Sequence, residues 1–203
     1  AFEAKEIDIL VGTQMLSKGL DFENVSLVGI LNADMMLNFP DFRAHERAFQ
    51  LMVQVSGRAG RSKKQGKVMI QTYNPYHQIL QQVSITDYTT MYKEQMQDRW
   101  QYHYPPYYRL IKITLKHKDY QKTETGVNWL VRALQNVFGE NVLGPSSPAV
   151  SRIRNQYIKN VMIKIPPKQS IVKTKHEIIK VKNSFQSISD FRPIRFIIDV
   201  DAY

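Results

Sequence analysis

An α/β fold in two parts is what this 203-residue sequence predicts. Three observations carry the prediction. Through the first half, nearly continuous apolar runs rich in β-branched residues alternate with stretches of helical period. Through the second half, strands show strict inside–outside alternation instead. Charge divides at the same place. Residues 1–98 hold 10 Lys/Arg against 11 Asp/Glu and residues 99–203 hold 18 against 7, so the net charge of +10 is −1 and +11. With 43% hydrophobic and 11% aromatic residues, the chain is globular rather than disordered.

The apolar runs "IDILVG" (7–12) and "VSLVGIL" (25–31) read as strands buried on both faces. "DFRAHERAFQLMVQVSGRAG" (41–60) opens at Asp41, an N-cap type, and places Ala44, Ala48, Leu51, Met52 and Val55 on one helical stripe. "GKVMIQTY" (66–73) is a third strand, and "PYHQILQQV" (75–83) a helix with Pro75 in its first turn. This order predicts an open, mostly parallel sheet. A further helical stretch from residue 85 to about Trp100 runs into Pro105-Pro106, which no helix continues through. The boundary between domains 1–98 and 99–203 belongs in or just after it.

In the basic half, "RLIKITLK" (109–116) puts Ile111, Ile113 and Leu115 on one face and Lys112, Thr114 and Lys116 on the other. A helix at 125–138 carries Val127, Leu130, Val131, Leu134, Val137 and Phe138. A broken strand pair follows at 141–153 around Gly144-Pro145, then a strand at 159–165. Ile178, Val181, Phe185 and Ile188 mark a second helix, and 194–201 a closing strand. The order β-α-β-β-α-β is the split pattern of a ferredoxin-like sandwich.

Composition narrows function. With no cysteine there is neither disulfide nor thiolate metal site, and the five histidines show no metal-ligand spacing. There is no apolar run near membrane-spanning length and no signal-peptide pattern, which predicts a soluble protein without a membrane partner. The start "AFEAKEIDIL", lacking Met and already close to a strand, reads as cut from a longer chain. A half with a net charge of +11 points to polyanions, solvated lysines being the plain alternative.

Two segments carry the chemistry of the first half. "VGTQMLSKGLDF" (11–22) follows a strand, where open sheets bind ligands, and Gly12 and Gly19 admit close backbone approach. "QVSGRAGR" (54–61) sets Gln54, Arg58 and Arg61 where they could grip a γ-phosphate. Arginine on a transferring phosphoryl group is worth ~10³–10⁵ in rate. The plain readings are a loop and a helix end whose arginines satisfy C-terminal carbonyls. No G-x-x-x-x-G-K-[S/T] loop exists in the chain; "GRSKKQGK" (60–67) has one residue too many, with Val68 where Ser or Thr belongs. The acidic D-E-x-H motif is absent too. In the basic half, "SRIRNQYIKN" (151–160) joins Arg152, Arg154, Tyr157 and Lys159, a set for phosphate contact and base stacking, or a solvated hairpin. "WQYHYPPYY" (100–108) is assigned to packing ahead of stacking.

The first two segments resemble motifs V and VI of superfamily 2 helicases, the second fitting Q-x-x-G-R-x-G-R outright. "NAD" and "DFRAHER" between them, with "YPPYYRL", "LGPSSPA" and "IDVD" further on, are similar to the primosomal protein N′ family of bacterial replication-restart helicases. That resemblance spans about residues 10–203. It implies the C-terminal part of a second RecA-like lobe, followed by the family's DNA-binding domain. Arg61 would be the finger on the γ-phosphate of ATP, with Arg58 beside it and Gln54 ordering water or phosphate. Gly12, Lys18, Gly19, Asp21 and Gly57 would serve the nucleotide, and Thr13 the DNA backbone. The whole enzyme would be an ATP-dependent 3′→5′ DNA helicase restarting replication at forks by primosome assembly. Its cofactors would be ATP with Mg, bound mainly by the other lobe, and zinc held by cysteines that this chain lacks. Forked or single-stranded DNA, single-strand-binding protein and primosome components are the implied partners of a cytoplasmic, nucleoid-associated monomer. By itself this chain is expected to be inactive. The alternative is a non-catalytic nucleic-acid binding module with a vestigial helicase lobe.

Overall fold

Residues 6–13, 25–57, 59 and 66–201 are described by the structure, a computed structural model. It forms two compact units that divide between Asp98 and Arg99.

In the first unit, strands β1 (Leu27–Ile30) and β2 (Lys67–Ile70) pair in parallel, Leu27 opposite Lys67 through Ile30 opposite Ile70. Between them run the single-turn α1 (Asp34–Leu37) and α2 (Ala44–Ser56), and α3 (Gln78–Ser84) and α4 (Tyr88–Gln101) follow β2. Ala33, Leu37, Ala48, Phe49, Met52, Ile79, Leu80, Val83 and Met91 make the core. At the carboxyl end of the strands, the Asp34 carboxylate accepts from the Thr72 hydroxyl (2.9 Å) and the Tyr73 backbone N–H (3.0 Å).

Several expectations for this unit need correction. Residues 7–12 form no strand: Ile9 and Val11 are 79% and 81% exposed, and a β-branched run that pairs with no strand among the described residues gains nothing from its propensity. β1 is not buried on both faces, since Leu27 and Gly29 are exposed. The 41–60 helix starts only at Ala44. Asp41 stands in the preceding turn, where its carboxylate accepts from Arg43 N–H (2.8 Å) and pairs with Arg47 (2.9 Å). Pro75 precedes α3 rather than opening it; the cap is His77, whose Nδ1 accepts from Ile79 N–H at 3.2 Å.

The second unit contains β3 (Arg109–His117), α5 (Tyr120–Phe138), β4 (Val142–Ser146), β5 (Arg152–Ile153), β6 (Gln156–Ile165), α6 (Ile171–Ser187) and β7 (Arg195–Val200). Its sheet runs β4-β6-β3-β7, all antiparallel, with the short β5 also on β6. Ile111, Ile113 and Leu115 of β3 face Leu130, Leu134, Ile178 and Phe185 of α5 and α6 in one core. Lys112, Thr114 and Lys116 therefore occupy the other face. Residues 141–153 do not pair with each other: β4 and β5 both pair with β6. Gly144 has φ +124°, and a Cβ there would meet the Asn160 carbonyl oxygen at 3.0 Å, so the irregular pairing of β4 with β6 at this point needs glycine. α5 begins five residues before the periodic run, with Asp119 accepting from Lys122 N–H (3.1 Å). β6 likewise begins before residue 159, at Gln156.

Packing and exposure are split along "WQYHYPPYY". His103 stacks on Tyr108 at 4.3 Å, and Lys164 Nζ lies 3.9 Å from the Tyr104 ring centre while donating to the Tyr102 carbonyl. Burial holds the Lys164 ammonium below the ordinary lysine pKa. Trp100 and Tyr102 are exposed.

Candidate nucleic-acid interface

The arginine motif begins where α2 ends. Ala44, Ala48, Phe49 and Met52 bury one side of this helix, which leaves Gln54 on the solvent side of its last turn. The Gly57 N–H closes the helix on the Val53 carbonyl at 3.0 Å. So Gln54 and Gly57 sit together at the end of a helix anchored in the core. Gly12 and Thr13 lie in the exposed stretch 6–13. Arg58 and Arg61 follow Gly57 in sequence but, like Lys18, Gly19 and Asp21, lie outside the described residues.

In the second unit, β5 and β6 form a hairpin whose two turn residues, Arg154 and Asn155, have φ of +48° and +61°. Two positive φ values in a two-residue loop are those of a type I′ turn, whose twist matches paired strands. Arg154 is thereby held exposed at the tip. Arg152 lies opposite Tyr157 in the ladder; its guanidinium sits 4.9 Å from that ring's centre and also donates to the Asn155 side chain. Tyr157 in turn meets Tyr120, at the first position of α5, edge to face at 5.4 Å.

Lys159 lies on the same side of β6 as Tyr157, two residues on. Its ammonium is 2.7 Å from the Glu124 carboxylate, 5.6 Å from the Tyr120 ring centre, and its side chain is only 14% exposed. The hydrogen bond from Lys159 holds Glu124 below the ordinary carboxylate pKa, burial opposing it. Hence the four predicted residues divide. Arg152 and Arg154 are exposed with the half-buried Tyr157 beneath Arg152, while Lys159 secures the base of the hairpin to α5. Sequence reading missed Tyr120 and Glu124, because residues 120–124 carry none of the apolar repeat that marks α5.

Among the described residues, no three His, Cys, Asp or Glu side chains are grouped to hold a metal ion. No helix among them is long and apolar enough to cross a membrane.

Comparison with known proteins places these features. A model of the helicase conserved C-terminal domain matches residues 1–63, the segment that contains both motif-like stretches. The first part of the chain is thus similar to helicase C-terminal domains. A model of the primosomal protein N C-terminal domain matches residues 100–203, and the chain belongs to that family. The replication restart protein PriA of Bacillus subtilis is 45% identical over 166 residues, covering 81% of this chain and 21% of that protein. The Synechocystis protein of the same name is 35% identical over 203 residues, 99% of this chain and 23% of its own. That of Haemophilus influenzae is 36% identical over 197 residues, 95% and 26% respectively. The chain therefore spans about a fifth to a quarter of these relatives' length.

Proposed function

We propose that this chain is the C-terminal part of an ATP-dependent 3′→5′ DNA helicase that acts at stalled or forked DNA and restarts replication through primosome assembly. The observation that carries the reading is the Q-x-x-G-R-x-G-R motif starting on the last turn of a core-anchored helix. Gln54 and Gly57 stand at that helix end, and Arg58 and Arg61 follow them directly in sequence. In this reading residues 1–98 belong to a RecA-like second lobe, for which the parallel pairing of β1 and β2 is support. Arg61 and Arg58 face the γ-phosphate of ATP across a cleft, and Gln54 orients water or phosphate. Gly12, Lys18, Gly19, Asp21 and Gly57 form the nucleotide-side backbone, with Thr13 on DNA. ATP with Mg supplies the phosphoanhydride whose hydrolysis drives movement. This chain's own part is charge stabilisation, since it has no phosphate-cradling loop.

Residues 99–203 are the DNA-binding domain, read as a ferredoxin-like unit on the strength of its β4-β6-β3-β7 antiparallel order. Arg152 and Arg154 meet phosphates and Tyr157 a base, with Lys159 as a supporting residue. Cytoplasmic, nucleoid-associated action as a monomer, with single-strand-binding protein and primosome components, completes the proposal; zinc belongs to other parts of the full-length protein.

The test is ATP turnover. The 203-residue chain should show none with or without DNA, and Arg61→Ala in the full-length protein should abolish turnover while fork binding persists. Turnover by the purified chain that survives Arg61→Ala would sink the assignment. A full-length natural protein with no ATPase would leave only a nucleic-acid binding module.

A further inference from the structure

We propose that Lys116 and Arg195 together hold a backbone phosphate of single-stranded DNA, on the sheet face turned away from α5 and α6. The proposal rests on the DNA-binding reading above and carries the interface beyond the hairpin to the edge strand β7.

The observation is a like-charged pair fixed by register. Lys116 stands directly opposite Arg195 in the β3–β7 ladder. Directly opposed residues have Cβ atoms roughly 4.5–5.5 Å apart, and like charges there destabilise a sheet. Two rows along the same face, Lys112 stands opposite Asp199, so the same two strands match opposite charges where they meet elsewhere. Among the described residues, neither Lys116 nor Arg195 makes a salt bridge. Arg195 is exposed and Lys116 half-exposed. The third member of their row is Ile158 of β6, which brings no charge. Among the described residues, folding thus holds two cations side by side with no ion pair to offset them. An anion between them relieves the repulsion.

The row lies at the basic end of the sheet. The next row on β3 and β6 is His117 opposite Tyr157, the ring under Arg152, and Lys118 and Lys122 are exposed just beyond. A phosphodiester chain passing round this end meets Arg154 and Arg152 on one face and Lys116 and Arg195 on the other. Spaced single charges suit a flexible single strand, whose phosphates adapt to the surface.

The test uses the 203-residue chain and a labelled oligothymidylate, with affinity measured at several salt concentrations. For the double variant Lys116→Gln, Arg195→Gln, loss of the one phosphate the pair holds should flatten the slope of log affinity against log salt by about 0.7. Affinity should fall roughly 5-fold at 0.1 M salt. Hydrogen exchange in β3 and β7 should be unchanged or slower, because a repulsion has been removed. Arg195→Lys should bind nearly as the parent does. Unaltered affinity and slope in the double variant, with Arg152→Gln and Arg154→Gln still weakening binding, would overturn this proposal alone. Weaker binding accompanied by faster exchange throughout both strands would overturn it too, as lost folding rather than lost contact. So would weakened binding of polyglutamate with oligothymidylate binding intact. A chain that binds no DNA at all would remove both this inference and the reading beneath it.

Discussion

Arg154→Gly should make the protein more stable and a poorer DNA binder at once. Arg154 occupies φ +48°, where a residue with a Cβ is strained by about 1–2 kcal/mol. Glycine removes that strain but loses about 0.5–1 kcal/mol through the greater freedom of the unfolded chain. The balance is a gain of roughly 0.5–1 kcal/mol, which for a unit of this size is about 2–4 °C in melting temperature. Trp129 reports on this unit: its ring lies 5.8 Å from Phe185 and 6.1 Å from Phe191. Its fluorescence during heating, with Trp100→Phe in the background, follows the unit's unfolding. Salt-dependent binding of oligothymidylate gives the other half, the slope flattening by about 0.7 for one lost phosphate contact. Arg154→Lys should keep the slope and the lower melting temperature. A lower melting temperature for Arg154→Gly would refute the turn-strain reasoning, and an unchanged slope would refute the phosphate contact.

Two other perturbations address what holds the interface in place. The Glu124 carboxylate titrates below its ordinary value of 4.5, so its contribution to stability is complete above that pH and lost as pH falls through the lowered value. Glu124→Gln should therefore cost stability at neutral pH, with a difference from the parent that shrinks below about pH 4.5; urea midpoints that stay parallel into acid would contradict this. Gly126→Ala should destabilise the second unit by about 1 kcal/mol. A Cβ there meets Ile194 Cδ1 at 2.8 Å and Phe185 Cζ at 3.3 Å, an overpacking of about 1–3 kcal/mol that exceeds the ~1 kcal/mol helical advantage of alanine. Adding Ile194→Val, which deletes the obstructing methyl, should recover much of the loss. Increased stability in Gly126→Ala alone would show that the core yields more readily than its packing implies.

Legibility in the sequence followed the source of each element's stability. Val127, Leu130, Val131 and Leu134 of α5 and Ile178, Val181 and Phe185 of α6 are buried as their spacing predicts, because burial of a stripe leaves a periodic trace. The first turn of α5 leaves none. It is held by Asp119 and by the Thr123 hydroxyl donating to the Asp119 carbonyl at 2.7 Å. Residues 7–12 show the reverse error, an apolar run that joins no ladder among the described residues. In the interface, Arg152, Arg154 and Tyr157 are visible in the sequence as a cationic and aromatic set, and composition alone groups Lys159 with them. Its parity with Val161 and Ile163 along β6 would have turned it toward the helices, where Glu124 waits. The pairing of Lys116 with Arg195 depends on register across some eighty residues, which no local pattern carries.

The tie between hairpin and helix also bears on the entropy of recognition. Arg152 is already seated on Tyr157, Tyr157 against Tyr120, and Lys159 against Glu124. Side chains free to move lose about 0.5–1.5 kcal/mol each when a ligand immobilises them. Here most of that ordering is complete before any ligand arrives. Of the residues on the hairpin, the exposed Arg154 has the most rotamer freedom left to surrender.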